Sequence, residues 1–205
     1  MESSAARRPR CPRCERPART CLCGWTRPID NPVPVLVLQH PLEVQHPKGS
    51  ARLLTLSLTR CECWVGETFD PDRLAAWIGT DGGTALLYPA TQLGPTPPAA
   101  PARVERLVLI DATWRKSLKM LLAEPQLQAL PRLALQAVPP SRYRIRQARR
   151  EDQRSTLEAC CQALGELDAR PERYDPLLQA FDDFVAAQAA WMTGRAAKET
   201  VPGLS

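Results

Sequence analysis

Short apolar runs that end at polar residues, prolines or glycines alternate with longer segments whose apolar positions recur at helical spacing. The short runs predict strands at 33–39, 63–67, 84–89, 106–111 and 132–138. The longer segments predict helices at 49–60, 70–79, 113–124, 155–168 and 175–192. Strands that alternate with helices favour an α/β fold with a largely parallel sheet and helices on both faces.

The start of the chain does not share this pattern. Residues 11–28 carry four cysteines and few apolar side chains, too few to form a core without a metal. We therefore expect an N-terminal metal-binding module at 1–28 and an α/β domain at 29–205 that ends in the C-terminal helix. A proline-rich stretch after residue 89 predicts an exposed loop within the second domain.

One cysteine spacing is typical of a structural zinc site: Cys11-x2-Cys14-x6-Cys21-x-Cys23. Four thiolates can close a tetrahedral Zn²⁺ site, and the metal would supply the folding free energy that the module lacks. Such a site keeps no open coordination position, so its role is expected to be structural. The alternative is four free thiols on a flexible arm. Cys61 and Cys63 are interpreted as core thiols rather than ligands.

Composition and charge narrow the functional classes. The 205 residues, 44% of them hydrophobic and 24% charged, fit one globular core with a small module attached. The sequence has no apolar run that could span a bilayer and no secretion signal, so we expect a cytoplasmic protein with no membrane partner. The net charge is only +5, but arginines cluster at 7–27 and 142–154. Such clusters favour a polyanionic partner, above all nucleic acid, with a solvated surface as the alternative.

Polar residues at predicted strand ends are the candidates for chemistry. Ligands gather at the carboxyl ends of parallel strands, and both Leu87-Tyr88-Pro89 and Asp111-Ala112-Thr113 fall at such ends. Asp111 could be a catalytic carboxylate or the N-cap of the helix that follows. His40 and Glu43 could form an acid–base pair or belong to a polar loop.

A further polar set opens the predicted helix at 155–168. Ser155 and Glu158, within STLEA, match a capping box, and the free N–H groups of the same helix start would also suit a carboxylate ligand. The sequence contains no GxGxxG, Walker or GxSxG pattern. Dinucleotide oxidoreduction, NTP hydrolysis and esterase chemistry therefore have no support.

Several motifs occur in a fixed order over residues 11–159: CPRC with CLC, HPLE, LLYP, DATW, SRYRIR and STLEA. By this ordered set the chain resembles the DTW-domain family, the tRNA-uridine aminocarboxypropyltransferases. The resemblance implies transfer of the 3-amino-3-carboxypropyl group of S-adenosylmethionine to N3 of a tRNA uridine, with release of methylthioadenosine. It also implies an α/β fold of the knotted SPOUT class. Where some family members have an Asn-Thr pair after the HPxE segment, this chain has Gly49-Ser50.

The resemblance gives the candidate residues roles. Uridine N3 is a weakly acidic imide, so Asp111 is predicted to accept its proton, with binding of the cofactor's ammonium group as the alternative. The residues predicted to bind S-adenosylmethionine are Leu87, Tyr88, Pro89, Asp111, Thr113, Trp114, Ser155, Thr156 and Glu158. The residues predicted to contact tRNA are His40, Lys48, Arg142, Tyr143, Arg144 and Arg146. Zinc is expected to be structural, and no obligate protein partner is inferred.

Two rival hypotheses fit the same residues. A SPOUT-like RNA methyltransferase would use the same cofactor but leave S-adenosylhomocysteine instead of methylthioadenosine. A non-catalytic, zinc-containing RNA-binding protein would bind tRNA without turning over S-adenosylmethionine. The small-molecule product therefore separates the three possibilities.

Overall fold

The computed structural model describes residues 9–46, 49–89, 103–135 and 155–192 of the chain. Within these ranges the strands form one sheet in which every neighbouring pair is parallel. The strands are β1 (Val35–Gln39), β2 (Cys61–Val65), β3 (Thr84–Leu87), β4 (Arg106–Asp111) and β5 (Arg132–Leu133). They lie in the order β2-β1-β4-β3-β5 across the sheet. The prediction of an α/β fold with a largely parallel sheet is confirmed.

The helices follow the predicted pattern with small shifts in their bounds. They are α1 (Ser50–Ser57), α2 (Pro71–Ile78), α3 (Trp114–Ala123), α4 (Pro125–Gln128), α5 (Thr156–Leu167) and α6 (Asp175–Met192). The sequence pattern does not predict α4, a single turn that follows α3. Short 3₁₀ turns lie at Ala18–Thr20, Cys23–Trp25, Pro41–Glu43 and Pro171–Tyr174.

The local chemistry of α2 explains why its bounds are well predicted. The Asp70 side chain accepts a 2.8 Å hydrogen bond from the backbone N–H of Arg73, and Pro71 occupies the first turn. Gly79 ends the helix at φ 74°, in the left-handed region that favours glycine.

Four strands differ from their predicted bounds, and β4 alone matches. β1 and β3 are each two residues shorter than predicted. β2 begins at Cys61, so the pairing includes Cys61 and Glu62, which are missing from the predicted strand at 63–67. The strand predicted at 132–138 pairs only at 132–133, residues 134–135 are irregular, and residues 136–138 lie outside the described residues.

Helices cover both faces of the sheet, as predicted. On one face, α1, α5 and α6 pack against β1 and β4, with Leu53, Leu164 and Phe181 buried in a common core. On the other face, α2, α3 and α4 form a second buried cluster around Leu74 and Met120. Side chains alternate along a strand, so the central strands supply apolar residues to both cores.

At the centre of the sheet, the connections that follow two neighbouring strands run to opposite faces, and a crevice opens between them. After β1 the chain continues into α1 on one face, whereas after the neighbouring strand β4 it continues into α3 on the opposite face. Loops that diverge in this way leave room between the carboxyl ends of the two strands, where α/β proteins bind ligands. Gln39 and Asp111 are paired in register at that point.

The cysteine-rich segment packs on the α1 and α6 face. Leu22 is fully buried in the same core as the inward residues of β1, and the rings of Trp25 and Phe184 lie 6.3 Å apart. Arg16 spans this contact, because its guanidinium donates to the backbone oxygen of His46 at 3.1 Å and lies 5.6 Å from the Phe184 ring. None of the described helices is both long and apolar enough to cross a membrane.

Candidate active site and metal centre

Two donors hold the carboxylate of Asp111 at the end of β4. The Gln39 amide donates to Oδ2 at 2.8 Å from the end of β1, and the Thr156 hydroxyl donates to Oδ1 from the first turn of α5. A carboxylate has about four lone-pair positions, so two donors leave acceptor capacity for a ligand. The arrangement suits an ionised carboxylate that is fixed in orientation and still able to accept a proton.

The structure excludes the alternative that Asp111 is the N-cap of α3. The N-cap of α3 is Thr113, whose side chain makes no capping hydrogen bond, and Asp111 is the last residue of β4. Its side-chain oxygens accept instead from Gln39 and Thr156. Its position is therefore explained by the crevice rather than by helix capping.

The start of α5 forms the predicted capping box. The Ser155 side chain accepts from the backbone N–H of Glu158, and the Glu158 carboxylate accepts from the backbone N–H of Ser155 at 2.9 Å. The capping box therefore engages both side chains, which the sequence also predicts to bind S-adenosylmethionine. Its local effect is to fix the turn from which Thr156 reaches Asp111.

The Cys63 thiol orients the side chain of Gln39. Its oxygen Oε1 lies 3.9 Å from the Cys63 sulfur, which donates to it. Burial raises the pKa of Cys63 to about 11, and the negative charge of Asp111 adds to the shift, so the thiol keeps its proton. With Oε1 facing the thiol, the amide NH₂ group faces Asp111.

The HPLE segment is tied to neighbouring elements by contacts of its polar side chains. His40 is only 5% exposed; its Nδ1 accepts a 3.1 Å hydrogen bond from the backbone N–H of Leu42 and its Nε2 lies 3.5 Å from Glu67. Glu43 instead pairs with Lys116 of α3 at 3.3 Å. The His40–Glu43 acid–base pair is thus not formed, and each side chain anchors the loop to a different element.

Glu67 is the centre of a small charge network at this edge. Lys119 donates a 3.1 Å hydrogen bond to it, which lowers the pKa of the Glu67 carboxyl, and the positive charges of Lys119 and His40 contribute further. The loop after β2 is thereby held to the loop after β1 and to α3.

An aromatic pair lies at the carboxyl ends of the strands, on the face of the sheet that α2, α3 and α4 cover. The rings of Tyr88 and Trp114 stack 5.4 Å apart at an interplanar angle of 16°, and the Tyr88 hydroxyl is 3.1 Å from the Ser117 hydroxyl. Tyr88 is buried, and burial raises its pKa, whereas Trp114 is 57% exposed. The indole therefore presents an open face that a planar group could cover.

The remaining predicted cofactor residues differ in exposure. Leu87 is half-buried and packs against the α1, α5 and α6 core, while Pro89 and Thr113 are exposed at the sheet edge. The structure therefore brings together two pairs at the carboxyl ends of the strands. Asp111 contacts Thr156 on the α5 side of the sheet, and Tyr88 stacks on Trp114 on the side covered by α3.

The N-terminal cysteines form one cluster, as the spacing predicts. All four sulfurs lie within 4.8 Å of one another, with Cys11 to Cys23 at 3.6 Å and Cys14 to Cys21 at 3.7 Å. A tetrahedral site with metal–sulfur bonds of about 2.3 Å has sulfur–sulfur edges of about 3.8 Å. The cluster therefore has the donor set and the dimensions to hold a metal ion.

The pKa values of the thiols in the cluster are shifted in opposite directions. Backbone hydrogen bonds from Cys14 and Arg13 lower the pKa of Cys11 to about 6, whereas burial raises the pKa of Cys23 to about 12. A metal site would need all four cysteines as thiolates, and thiolates this close together would require a compensating cation. Burial lowers the pKa of the neighbouring Arg16 guanidinium, and the negative charges of Cys14 and Cys21 oppose that shift.

Several predicted RNA contacts lie outside the described residues: Lys48, Arg142, Tyr143, Arg144 and Arg146. Sequence reasoning missed Gln39, which it treated only as the end of a buried strand. A polar residue in the last position of a buried strand is the same signal that marks Asp111. Applying that signal to every strand would have found it.

The fold and the site define an α/β protein with a carboxylate in its central crevice and a four-cysteine cluster packed on the α1 and α6 face. Comparison with family models matches the DTW domain over residues 8–189, and the chain belongs to this family. The prediction made from the ordered motifs is confirmed.

The curated relatives that match this chain have informative names. The chain is 33% identical over 174 residues to mouse "tRNA-uridine aminocarboxypropyltransferase 2", covering 80% of this chain and 58% of the relative. It is 33% identical over 181 residues to the Drosophila melanogaster protein of the same name, covering 84% of this chain and 72% of the relative. An Arabidopsis thaliana "tRNA-uridine aminocarboxypropyltransferase A" is 33% identical over 143 residues, covering 57% of this chain and 52% of the relative. No solved structure matches the chain.

Proposed function

We propose that the chain is a tRNA-uridine aminocarboxypropyltransferase that uses S-adenosylmethionine as donor. Membership of the DTW-domain family and the names of the relatives support this function. The structural observation that carries it is the Asp111 carboxylate, held by Gln39 and Thr156 in the crevice between β1 and β4. The group sits where α/β proteins bind their ligands and has the chemistry that activation of an imide requires.

In the proposed reaction Asp111 accepts the proton from uridine N3 as N3 attacks the carbon bonded to the sulfonium. The new bond is N3 to carbon, the bond that breaks is carbon to sulfur, and its electron pair leaves with methylthioadenosine. The chain's own contribution is orientation and proton acceptance, since an attack at one of several carbons is selected by which carbon is held in line. The two donors to Asp111 keep its free lone pairs in a fixed direction.

The open face of Trp114 supports a role for the aromatic pair in the same proposal. A planar adenine or uracil ring could stack on the indole, whose other face is backed by Tyr88. We assign the aromatic pair to the binding site for S-adenosylmethionine. Leu87, Pro89, Thr113 and the start of α5 are assigned to the same site. The predicted tRNA contacts at His40 and in the SRYRIR motif stay part of the proposal.

The proposal includes a structural Zn²⁺ in the cysteine cluster. All four ligands would be thiolates, which leaves no position for substrate, so the metal would stabilise the module and take no part in the transfer. The division into 1–28 and 29–205, the knotted SPOUT-type path and the cytoplasmic location also stay predictions.

The substitution Asp111→Asn tests the proposed base. Asn keeps the size and one acceptor oxygen but cannot take a proton, so turnover should fall by roughly 10²–10⁴-fold. Affinity for S-adenosylmethionine and tRNA should persist. Methylthioadenosine release and the mass of the modified tRNA nucleosides measure the turnover, and Asp30→Asn, at the amino edge of the sheet, is the matched control.

Four outcomes of this experiment are distinct. Near-normal turnover in Asp111→Asn would rule out the base. A loss of S-adenosylmethionine affinity together with turnover would assign Asp111 to the donor's ammonium group. Release of S-adenosylhomocysteine by the unmodified protein would replace the proposal with a methyltransferase, and tRNA binding without either product would leave an RNA-binding protein.

A further inference from the structure

Two arginine side chains, those of Arg10 and Arg52, hold one turn of the cysteine module, and a third arginine, Arg13, belongs to the turn itself. The Arg10 Nε group donates to the backbone oxygen of Glu15 at 2.6 Å. Arg52, from α1, donates to the backbone oxygen of Arg13 at 2.7 Å and lies 3.5 Å from the Glu15 carboxylate. We call Arg10, Arg13 and Arg52 the turn cluster. Because the turn lies between two metal-ligand candidates, Cys11 and Cys14, the metal would hold the cluster in shape.

The charge of the turn cluster is only partly balanced within the protein. Glu15 is the single acidic residue of segment 9–28, and its one carboxylate faces Arg52. The side chains of Arg10 and Arg13 are exposed. The surface therefore carries an excess of guanidinium groups, and hydrogen bonds hold those of Arg10 and Arg52 in place. Such a group of guanidinium side chains suits phosphate oxygens.

The turn cluster is connected to the candidate active site through one loop. Arg10 Nη2 donates to the Gln45 side chain at 3.2 Å, at the end of the loop that begins with His40 beside Asp111. In addition, the positive charge of Arg52 acts on the Cys63 thiol and opposes the rise of its pKa. The same thiol orients Gln39 at the site.

We infer that the turn cluster is a phosphate-contacting surface for the tRNA backbone next to the target uridine. This inference rests on the proposed function and deepens it, because it names a part of the chain that docks the substrate. Contacts to phosphates position an RNA without reading its sequence, so this surface would supply affinity and orientation while the crevice selects the base.

The experiment measures binding of a labelled tRNA transcript by fluorescence anisotropy at several salt concentrations. The test variant is Arg10→Gln with Arg13→Gln. The matched control is Arg103→Gln with Arg170→Gln, which removes the same charge from exposed positions at the amino edge of the sheet. Arg13→Gln alone provides a second test, because it leaves the hydrogen bonds of Arg10 intact, and metal content shows whether the module is still folded.

If the turn cluster binds phosphate, the salt dependence of log K should flatten by about one unit for Arg13→Gln and about two for the double test variant. The control should keep the slope of the unmodified protein. Equal changes in test and control variants would assign the effect to net charge and overturn the inference, and so would unchanged slopes in both test variants. Failure of the proposed function is separate: the unmodified protein would then form no methylthioadenosine, whatever its tRNA affinity.

Discussion

The substitution Gln39→Met removes one of the two donors that orient the proposed base. Met keeps the length of the side chain at a position that is only 8% exposed, but it can neither donate to Asp111 nor accept from Cys63. The Thr156 hydroxyl would remain as the donor on the other carboxylate oxygen. The carboxylate should therefore stay in the crevice but lose its fixed orientation.

The expected magnitude follows from the bond that is lost. A hydrogen bond to a charged group contributes about 1.5–3 kcal/mol, and each 1.36 kcal/mol is tenfold in rate. If the Gln39 contact at 2.8 Å serves the transition state, turnover should fall by about 10- to 100-fold. Because Asp111 is only half-buried, water can replace the donor, and the free energy of unfolding should change by about 1 kcal/mol or less.

The assay combines initial rates of methylthioadenosine release with separate binding measurements for S-adenosylmethionine and tRNA. Gln179→Met, on the exposed surface of α6, makes the same chemical change away from the site and should leave the rate unchanged. A positioning role requires that the rate falls while both affinities and the melting temperature hold. A rate within threefold of the unmodified protein, or a loss that matches the fraction of unfolded protein, would refute this reasoning.

Three further predictions concern the metal module, the aromatic pair and Gly49. Alkylation of the native protein after treatment with a chelator should be found by mass spectrometry at the cluster, Cys11, Cys14, Cys21 and Cys23. It should spare Cys61, Cys63 and Cys160, because β2 and α5 hold these thiols in the α/β domain, whereas loss of the metal should loosen the module that carries the other four. Trp114→Ala should weaken S-adenosylmethionine binding by roughly 5- to 100-fold in calorimetry, since stacking contributes about 1–3 kcal/mol, with little change in melting temperature because the ring is largely exposed. Gly49→Ala should lower the melting temperature by about 2–4 °C per kcal/mol lost, because Gly49 has φ 56° and an added Cβ would lie 2.4 Å from Nη1 of Arg16.

The elements of the fold could be predicted because their signals are local. The apolar run of β4, the Asp-Pro start of α2 and the Ser-x-x-Glu start of α5 each depend on neighbours in sequence. The strand order could not be predicted in the same way. Neighbours such as β1 and β4 lie far apart in the chain, and no local pattern states which strands pair.

The candidate site was predicted in part for the same reason. Asp111 has a local signal, an acid at the end of a buried strand, and the four cysteines have a characteristic spacing. The partners of Asp111 have none, because Gln39 and Thr156 are 72 and 45 residues away in the chain. Likewise His40 pairs with Glu67, whereas the residue closest in sequence, Glu43, pairs with Lys116.

The strand order also determines when the site can be completed during synthesis. β1 with β2 and β3 with β4 are each neighbours both in sequence and in the sheet, so each pair can form early as the chain leaves the ribosome. The site requires the two pairs to join along β1 and β4, and it then requires α5, which is made later still, to bring Thr156 to Asp111. A nascent chain that ends before α5 can therefore form the sheet but lacks one donor to the carboxylate. If Asp111 is the base, as proposed, full activity requires the last of these steps, and it would then report that α5 has joined the folded sheet.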